Sequence, residues 1–221
     1  MPRLVSERTV LDALAAGRAT LAVPAGALVT ALARDTARDH GLAFVTDTGT
    51  PAATPADPPR QPSAPAKTLA VACDHAGFDH KDALVAHARS LGWTVTDLGT
   101  NSTDSVDYPD FAYAVARLVH LGQVAHGLMI DGVGVGSAIV ANKVPGVRAA
   151  LCPNTFAAFN ARAHNDANVL TLGSRTMGVE VSKRVLAEFL ATDFEGGRHQ
   201  RRVQKILDVE ARFLPGAGGA A

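Results

Sequence analysis

The sequence predicts an α/β fold of three layers, in which helices cover both faces of a five-stranded, mainly parallel sheet, with a small N-terminal appendage. Across residues 68–213, short apolar runs typical of buried strands alternate with stretches whose apolar residues recur at helical spacing. This alternation is typical of parallel sheets that are buried on both faces. Six of the 12 prolines fall between residues 46 and 67, which indicates an extended linker before that domain.

The first 45 residues are predicted to form a small module of their own. Helices are expected over residues 10–16 and 31–40, each followed by a glycine, and a short strand over residues 21–23. So small a unit buries little apolar surface, and two interpretations stay open: a poorly ordered extension, or a docking or targeting module. We expect no internal repeat. At the other end of the chain, residues 214–221 are rich in Gly and Ala and are predicted to be a disordered tail.

The α/β domain supplies all five strands of the predicted sheet. They cover residues 69–73, 93–96, 127–130, 147–151 and 169–172. Each is followed by a stretch with apolar residues three and four positions apart, which predicts a covering helix. Asp110 is expected to cap the helix that contains Phe111 and Val115.

The composition excludes several classes of function. Lys and Arg number 21, as do Asp and Glu, so the chain lacks the basic excess typical of proteins that bind nucleic acids or anionic membranes. No apolar run reaches the roughly 18–20 residues that span a bilayer, and the N-terminus does not resemble a secretory signal. The two cysteines, Cys73 and Cys152, form neither a disulfide framework nor a zinc site. We therefore expect a cytoplasmic protein without nucleic-acid or membrane partners.

Polar residues follow several of the predicted strands. Asp74 and His75 follow the first strand, and Arg175 follows the fifth. The helix after the fourth strand ends in His164 and Asn165. Because ligands of open α/β sheets bind beyond the carboxyl ends of the strands, we expect these side chains to gather in one site there.

The third strand runs into a glycine-rich loop, in which Gly132, Gly134 and Gly136 follow Asp131. Backbone amides of such a loop, at the start of a helix, can bind a phosphate, a carboxylate or the oxyanion of an enediolate. The glycine spacing is not that of the dinucleotide-binding fingerprint. A plain turn is the structural alternative, but the buried strand and the acidic residue before the loop favour a binding site.

A basic cluster opens the last predicted helix. Arg198 and Arg202 lie four residues apart and therefore face the same side of that helix. Two guanidinium groups so placed suit a phosphate, although a solvated basic surface is the alternative.

Several motifs resemble, in this order, those of the family of ribose-5-phosphate isomerase type B and galactose-6-phosphate isomerase. The resemblance spans Leu69 to Arg212 and includes CDHAGFDHK, DYPDFA, GVGVG, ARAHNDANVLTLGSR and FEGGRHQRRV. It implies a Rossmann-like sheet and a homodimer, with a tetramer as the alternative, whose active sites are shared between subunits. The chemistry implied is interconversion of aldose and ketose sugar phosphates, with no cofactor and no metal.

The resemblance also assigns roles to residues of this chain. His164 corresponds to the acid/base residue that opens the sugar ring. Contacts with a small anionic substrate are assigned to Asp74, His75, Tyr108, Gly132, Gly134, Gly136, Ser137, Asn165, Arg175, Arg198 and Arg202.

Two departures from the family pattern fall in the glycine-rich loop. One branch of the family has its catalytic base, a cysteine, where this chain has Asp131, and another branch has a glutamate base where this chain has Ser137. The usual loop hydroxyl is missing as well, because Val133 stands in its place. A carboxylate can carry the proton between C2 and C1, so Asp131 is the predicted base. Two alternatives remain: a hydrolase in which Asp131 activates water at a carbonyl, and a non-catalytic homologue in which Asp131 only caps the loop.

A second resemblance concerns the N-terminal module. Residues 5–42 are similar to short modules attached to enzymes of bacterial microcompartments, although Ala31 stands where those usually have proline. The resemblance implies a shell or cargo partner for residues 1–45. The expected location is the bacterial cytoplasm, with the inside of a microcompartment as the more specific alternative.

Overall fold

The computed structural model describes residues 4–5, 7–24, 28–29, 31–46 and 66–214. The chain divides into two compact units, Met1–Pro58 and Pro59–Ala221. Most of the predicted linker and all but the first residue of the predicted tail lie outside the described residues.

The described residues of the N-terminal unit form two helices and four short strands. In chain order these are β1 (Leu4–Val5), α1 (Glu7–Ala15), β2 (Thr20–Val23), β3 (Leu28–Val29), α2 (Ala31–Asp39) and β4 (Ala43–Thr46). Strand β1 pairs with β3, and β2 pairs with β4, both in parallel. Small apolar side chains from both helices form its core, together with Leu42. Strands β1 and β3 were not predicted, because two-residue strands carry no periodicity. The four-residue strand β4 was not predicted either.

This unit is built from two similar halves, so our expectation of no repeat was wrong. An offset of 24 residues relates Leu4 to Leu28 and Val5 to Val29, the pairs that face each other in the β1–β3 ladder. Each half continues with a helix of nine residues. The glycines after the helices, Gly17 and Gly41, both have φ of 68°, a conformation that favours glycine. The apolar residues are placed differently in the two helices, so the repeat was not visible in the hydrophobic pattern.

The second unit contains a five-stranded sheet that is parallel throughout. Its strands are β5 (Thr68–Cys73), β6 (Thr94–Asp97), β7 (His126–Asp131), β8 (Ala149–Leu151) and β9 (Val169–Gly173). Their order across the sheet is β6-β5-β7-β9-β8. The prediction of a five-stranded parallel sheet is therefore confirmed.

The described part of this unit contains six helices: α3 (Phe78–Ser90), α4 (Tyr108–His120), α5 (Val135–Ala141), α6 (Thr155–Asn165), α7 (Val179–Ala191) and α8 (Arg198–Ala211). Strand β5 shows why there are three layers. Its residues Leu69, Val71 and Cys73 pack into one apolar core with α3, α6 and α7, whereas Ala70 and Ala72 pack into another with α4 and α5. No helix among the described residues combines the length and apolar character needed to cross a membrane.

The start of α4 differs from the prediction. Its N-cap residue is Asp107 rather than Asp110, which lies within the first turn. Pro109 explains the earlier start, because its fixed φ suits the first turn of a helix and its missing N–H is not needed there. The helix therefore begins at Tyr108, a predicted substrate contact.

His126 makes the stability of this unit depend on pH. It begins β7 between the rings of Trp93 and Phe189, with centroid distances of 5.4 and 5.7 Å. Burial, and then the charge of Arg162, lower the pKa of His126 from 6.5 to about 3. Between these values the unfolded chain binds a proton that the folded chain does not, so stability falls as the pH falls below 6.5.

We expect a loss of about 2 kcal/mol between pH 7 and pH 5, at about 1.4 kcal/mol for each pH unit below 6.5. Replacing His126 by Phe keeps the ring contacts and removes the titrating group, whose Nδ1 has no hydrogen-bond partner among the described residues. Urea unfolding at both pH values measures the difference. An equal pH dependence in wild type and H126F contradicts this account.

Candidate active site

Asp131, the last residue of β7, lies at the centre of the glycine-rich loop and is 5% exposed. Its Oδ1 accepts hydrogen bonds from the backbone amides of Val133, at 2.7 Å, and Gly134. Its Oδ2 accepts from the amide of Ser137 at 3.2 Å and from the hydroxyl of Ser137 at 2.5 Å. Four donors fill the accepting positions of a carboxylate. The loop is thus folded around the Asp131 side chain.

This arrangement differs from the amide nest that the sequence predicted to be open to an enediolate. Asp131 itself binds three of the loop amides. The amides of Gly132, Val135 and Gly136 have no acceptor in the described part of the chain, so they are the ones able to bind a ligand oxygen. Gly134 makes the loop possible, because it has φ of 87° and a Cβ there would lie 2.5 Å from Leu151.

Asp74 and His75 lie in the turn after β5, the strand next to β7. Asp74 is buried, and its Oδ1 accepts hydrogen bonds from the amides of Ala76 and Gly77, both at 2.9 Å. Its Oδ2 has no donor among the described residues. His75 Nδ1 accepts from the amide of Val106 at 3.3 Å, which leaves Nε2–H able to donate. One acceptor and one donor are therefore available to a ligand here.

Two more predicted residues lie beside the loop. The ring of Tyr108 packs on Gly136, where a Cβ would come within 2.7 Å of the phenol oxygen. The backbone amide of Arg175 donates to the carbonyl of Gly132 at 3.0 Å, and the Arg175 side chain is exposed. Ser137 lies here too, but it is completely buried and its hydroxyl is engaged by Asp131. It therefore acts on a substrate only through Asp131.

The other predicted residues lie at the opposite end of the strands within one chain. This contradicts the expectation that all the predicted side chains gather in one site. Helix α6 runs antiparallel to the strands, so His164 and Asn165 at its end lie where β9 begins. Asp131 pairs with Gly173, where β9 ends. A five-residue strand separates the two positions by about 13 Å. This separation was not predicted, because the residues were assigned to a site by the strand they follow and not by the direction of the helix between.

Three residues that were not predicted to be functional lie around His164. The rings of His164 and His199 are stacked, with centroids 4.0 Å apart and planes inclined by 1°. The Oε2 of Glu195 lies 3.7 Å from the Nε2 of each ring. Asn160 Nδ2 lies 2.8 Å from His164 Nδ1. The motif FEGGRHQRRV contains two of these residues, but only its arginines had been considered.

Charge on this second cluster is set by its surroundings. Arg198 Nε donates to His199 Nε2 at 3.2 Å, which links the predicted phosphate-binding cluster to the histidine pair. Burial, then the charges of His164, Arg198 and Arg202, lower the pKa of His199 against the opposing effect of Glu195. The stacked pair therefore does not carry two charges near neutral pH.

The groups His164, Glu195 and His199 lie within 4.8 Å of one another, as metal ligands do. An imidazole lone pair lies in the plane of its ring, so the lone pairs of two parallel rings do not converge on one ion. A zinc ion needs ligand nitrogens about 2.0–2.1 Å away along those lone pairs. The stacked geometry does not fit a metal, and we assign none.

Neither thiol of the chain is suited to act as a base. Cys73 ends β5 beside the loop, and burial raises its pKa to about 11. Burial also raises the pKa of Cys152 to about 12. Asp131 therefore has no competing thiolate at this edge of the sheet.

Comparison with known proteins identifies the fold and the family. The sequence pattern of the family described as Ribose/Galactose Isomerase matches residues 69–206. The ribose-5-phosphate isomerase B of Escherichia coli K12 is 45% identical over 146 residues, which are 66% of this chain and 98% of that protein. The D-erythrulose-4-phosphate isomerase of Pectobacterium atrosepticum is 39% identical over 140 residues, 63% of this chain and 92% of that protein.

Solved structures give the same result. The ribose-5-phosphate isomerase B of Clostridium thermocellum matches with a TM-score of 0.65 and 41% identity, over 66% of this chain and 99% of that one. The enzyme of Mycoplasma genitalium, solved with ribulose-5-phosphate bound, matches with a TM-score of 0.62 and 41% identity, over 65% and 95% of the two chains. With the fold, the loop and the family pattern in agreement across residues 69–206, this chain belongs to the ribose/galactose isomerase family.

Proposed function

We propose that this enzyme interconverts the aldose and ketose forms of a small sugar phosphate, without a cofactor. The observation that carries the proposal is a buried carboxylate, Asp131, beside three backbone amides with no acceptor in the described chain. The names of the relatives, a ribose-5-phosphate isomerase and an erythrulose-4-phosphate isomerase, support substrates of four or five carbons.

In the proposed mechanism, Asp131 removes the proton from C2 of the open-chain aldose and returns it to C1. The amides of Gly132, Val135 and Gly136 stabilise the negative oxygen of the enediolate. To accept the proton, Asp131 must release one of its four donors. The hydroxyl of Ser137 is the only one of the four that can rotate away, since the others are backbone amides.

We further propose that two copies of the chain share each site, as a homodimer or as a tetramer of such dimers. His164, Asn165, Arg198 and Arg202 of one copy would then complete the loop of the other. In support, large apolar side chains are exposed on and near α5 and α6, including Ile139 at 57% and Phe156 at 74%. Apolar surface of this kind is typical of an interface.

Solvent exchange tests the reaction. Incubating the enzyme with ribose 5-phosphate or a tetrose phosphate in deuterated water is expected to give the ketose with deuterium at C1, because a carboxylate base exchanges its proton with solvent. Nuclear magnetic resonance follows both products. Hydrolysis products without exchange support the hydrolase alternative instead, and no reaction with any sugar phosphate supports the non-catalytic one.

For the N-terminal unit we propose docking to a microcompartment shell or to its cargo. The unit has its own apolar core and its own two pairs of strands, which supports a role independent of catalysis. Removing residues 1–66 is expected to leave turnover and dimerisation unchanged and to abolish association with shells in cells that make them. Loss of dimerisation in the shortened chain contradicts this role.

A further inference from the structure

His164 is held by a chain of two asparagine side chains on its own helix. Asn160 lies one turn before His164, and its Nδ2 is 2.8 Å from His164 Nδ1. The oxygen of the Asn160 amide is taken by Asn165, whose Nδ2 lies 3.5 Å from Asn160 Oδ1 and 3.4 Å from the Asn160 carbonyl. Asn165 thus orients the Asn160 amide so that its nitrogen faces the imidazole.

This orientation decides which imidazole nitrogen carries the proton. An amide nitrogen is only a donor, so His164 Nδ1 must accept, and a neutral ring then carries its proton on Nε2. Nε2 is the nitrogen on the side of Glu195 and His199. His199 Nε2 already accepts a hydrogen bond from Arg198, so it has no proton to donate there. When both rings are neutral, His164 is therefore the one that donates through Nε2–H.

We propose that Asn160 is a positioning residue that fixes His164 in the Nε2–H tautomer, so that the ring can donate a proton to the ring oxygen of a cyclic sugar phosphate. In that step the bond between C1 and the ring oxygen breaks and the oxygen takes the Nε2 proton. The C1 hydroxyl proton passes through water back to Nε2 as the carbonyl forms, so the imidazole is neutral before and after ring opening. The inference rests on the proposed function, because it assigns ring opening to His164. It goes beyond that function, because it names the residue that sets the protonation pattern of the acid.

Two substitutions at this position separate a tautomer effect from a packing effect. Asn160→Asp keeps the shape but offers only acceptors, so in a neutral ring it favours a proton on His164 Nδ1 and leaves Nε2 bare. Because a carboxylate beside an imidazole also favours a second ring proton, the variants are compared at pH 9, so that the ring is observed in its neutral form. Asn160→Leu removes the bond without favouring either tautomer. We expect N160D to lower kcat on the cyclic aldose about 100-fold and N160L less than about tenfold, since a positioned general acid contributes about 10²–10⁴-fold.

A structural role predicts the opposite order, because the isosteric Asp disturbs packing less than Leu does. Gln204→Leu is the matched control, because Gln204 also donates through its amide to a residue four positions on, Asp208, at 3.0 Å. It lies outside the proposed machinery, and we expect kcat to stay unchanged. Exchange of the C1 proton of the open-chain ketose does not require ring opening. Because Asp131 is intact in N160D, the exchange rate of this variant is expected to stay within about threefold of the wild-type rate.

A readout independent of activity comes from the nitrogen-15 resonances of the histidine rings in the full chain. With His164 assigned by comparison with His164→Gln, we expect Nε2–H in the wild type, Nδ1–H in N160D and a mixture in N160L. Nδ1–H in the wild type, or N160L as the weaker enzyme, overturns the inference. If the wild type isomerises no sugar phosphate, the proposed function fails, while the ring resonances still decide which tautomer Asn160 selects.

Discussion

Replacing Asp131 by Asn is expected to lower kcat by about 10²–10⁴-fold, the usual contribution of a positioned base. The amide that replaces the carboxylate cannot take the C2 proton. Its nitrogen would also face donors, because Oδ1 and Oδ2 both accept hydrogen bonds from the loop. Some loss of stability is therefore expected as well, at about 1 kcal/mol for each bond lost, and thermal unfolding must be measured beside the kinetics.

Asp131→Cys distinguishes a role of Asp131 as the catalytic base from a role in capping the glycine-rich loop. A thiolate can also act as a base, so partial activity is expected in D131C. A thiol in ordinary surroundings ionises near pH 8.5, so the limb of the kcat/KM profile on which the base ionises moves to alkaline pH. If this limb of the D131C profile does not move and only the melting temperature falls, Asp131 caps the loop and the base lies elsewhere.

Ser137→Ala provides the complementary test of how the carboxylate is released. It removes the hydroxyl donor and leaves three backbone amides on Asp131. The loop is expected to fold as before, because Ser137 still supplies its own amide. A change in kcat without a change in melting temperature then assigns the hydroxyl to catalysis.

The sheet was predictable because each of its strands can be recognised from its own residues. The run Leu69–Cys73 is apolar at every position, and both of its faces are buried. A strand of this kind needs helices on each side, so its pattern alone predicts three layers. The short strands of the N-terminal unit were missed for the opposite reason, since pairs such as Leu4–Val5 are ordered by their partners and not by their own pattern.

The site was predictable only in part, because residue types are visible in a sequence and the hydrogen bonds between them are not. Asp131 was found from its place before the glycines, but nothing in the sequence shows that its carboxylate takes the loop amides. Asn160 carries no motif at all, and only the geometry of α6 brings it to His164. The separation of His164 from Asp131 could have been predicted, because a helix that connects two parallel strands runs antiparallel to them. The alternation of strands and helices in the sequence already implies this direction.

That separation leads to the strongest test of the shared site, which is the mixing of two inactive variants. Asp131→Asn and His164→Gln, each inactive alone, are expected to recover about a quarter of wild-type activity when the two chains are made together. Random pairing makes half of the dimers mixed, and in each of these one site is intact while the other carries both substitutions.

The control for this experiment is a pair of variants on the same side of the sheet. Asp74 and Asp131 follow neighbouring strands and therefore belong to one half of the site. Mixing Asp74→Asn with Asp131→Asn leaves one substitution in every site of a mixed dimer, so no recovery is expected. Mixed dimers can be isolated through two different affinity tags, and their activity per dimer should be about half that of the wild type. No recovery in the first pair would place the whole site within one chain, whereas recovery in the control pair would mean that Asp74 and Asp131 belong to different halves of the site.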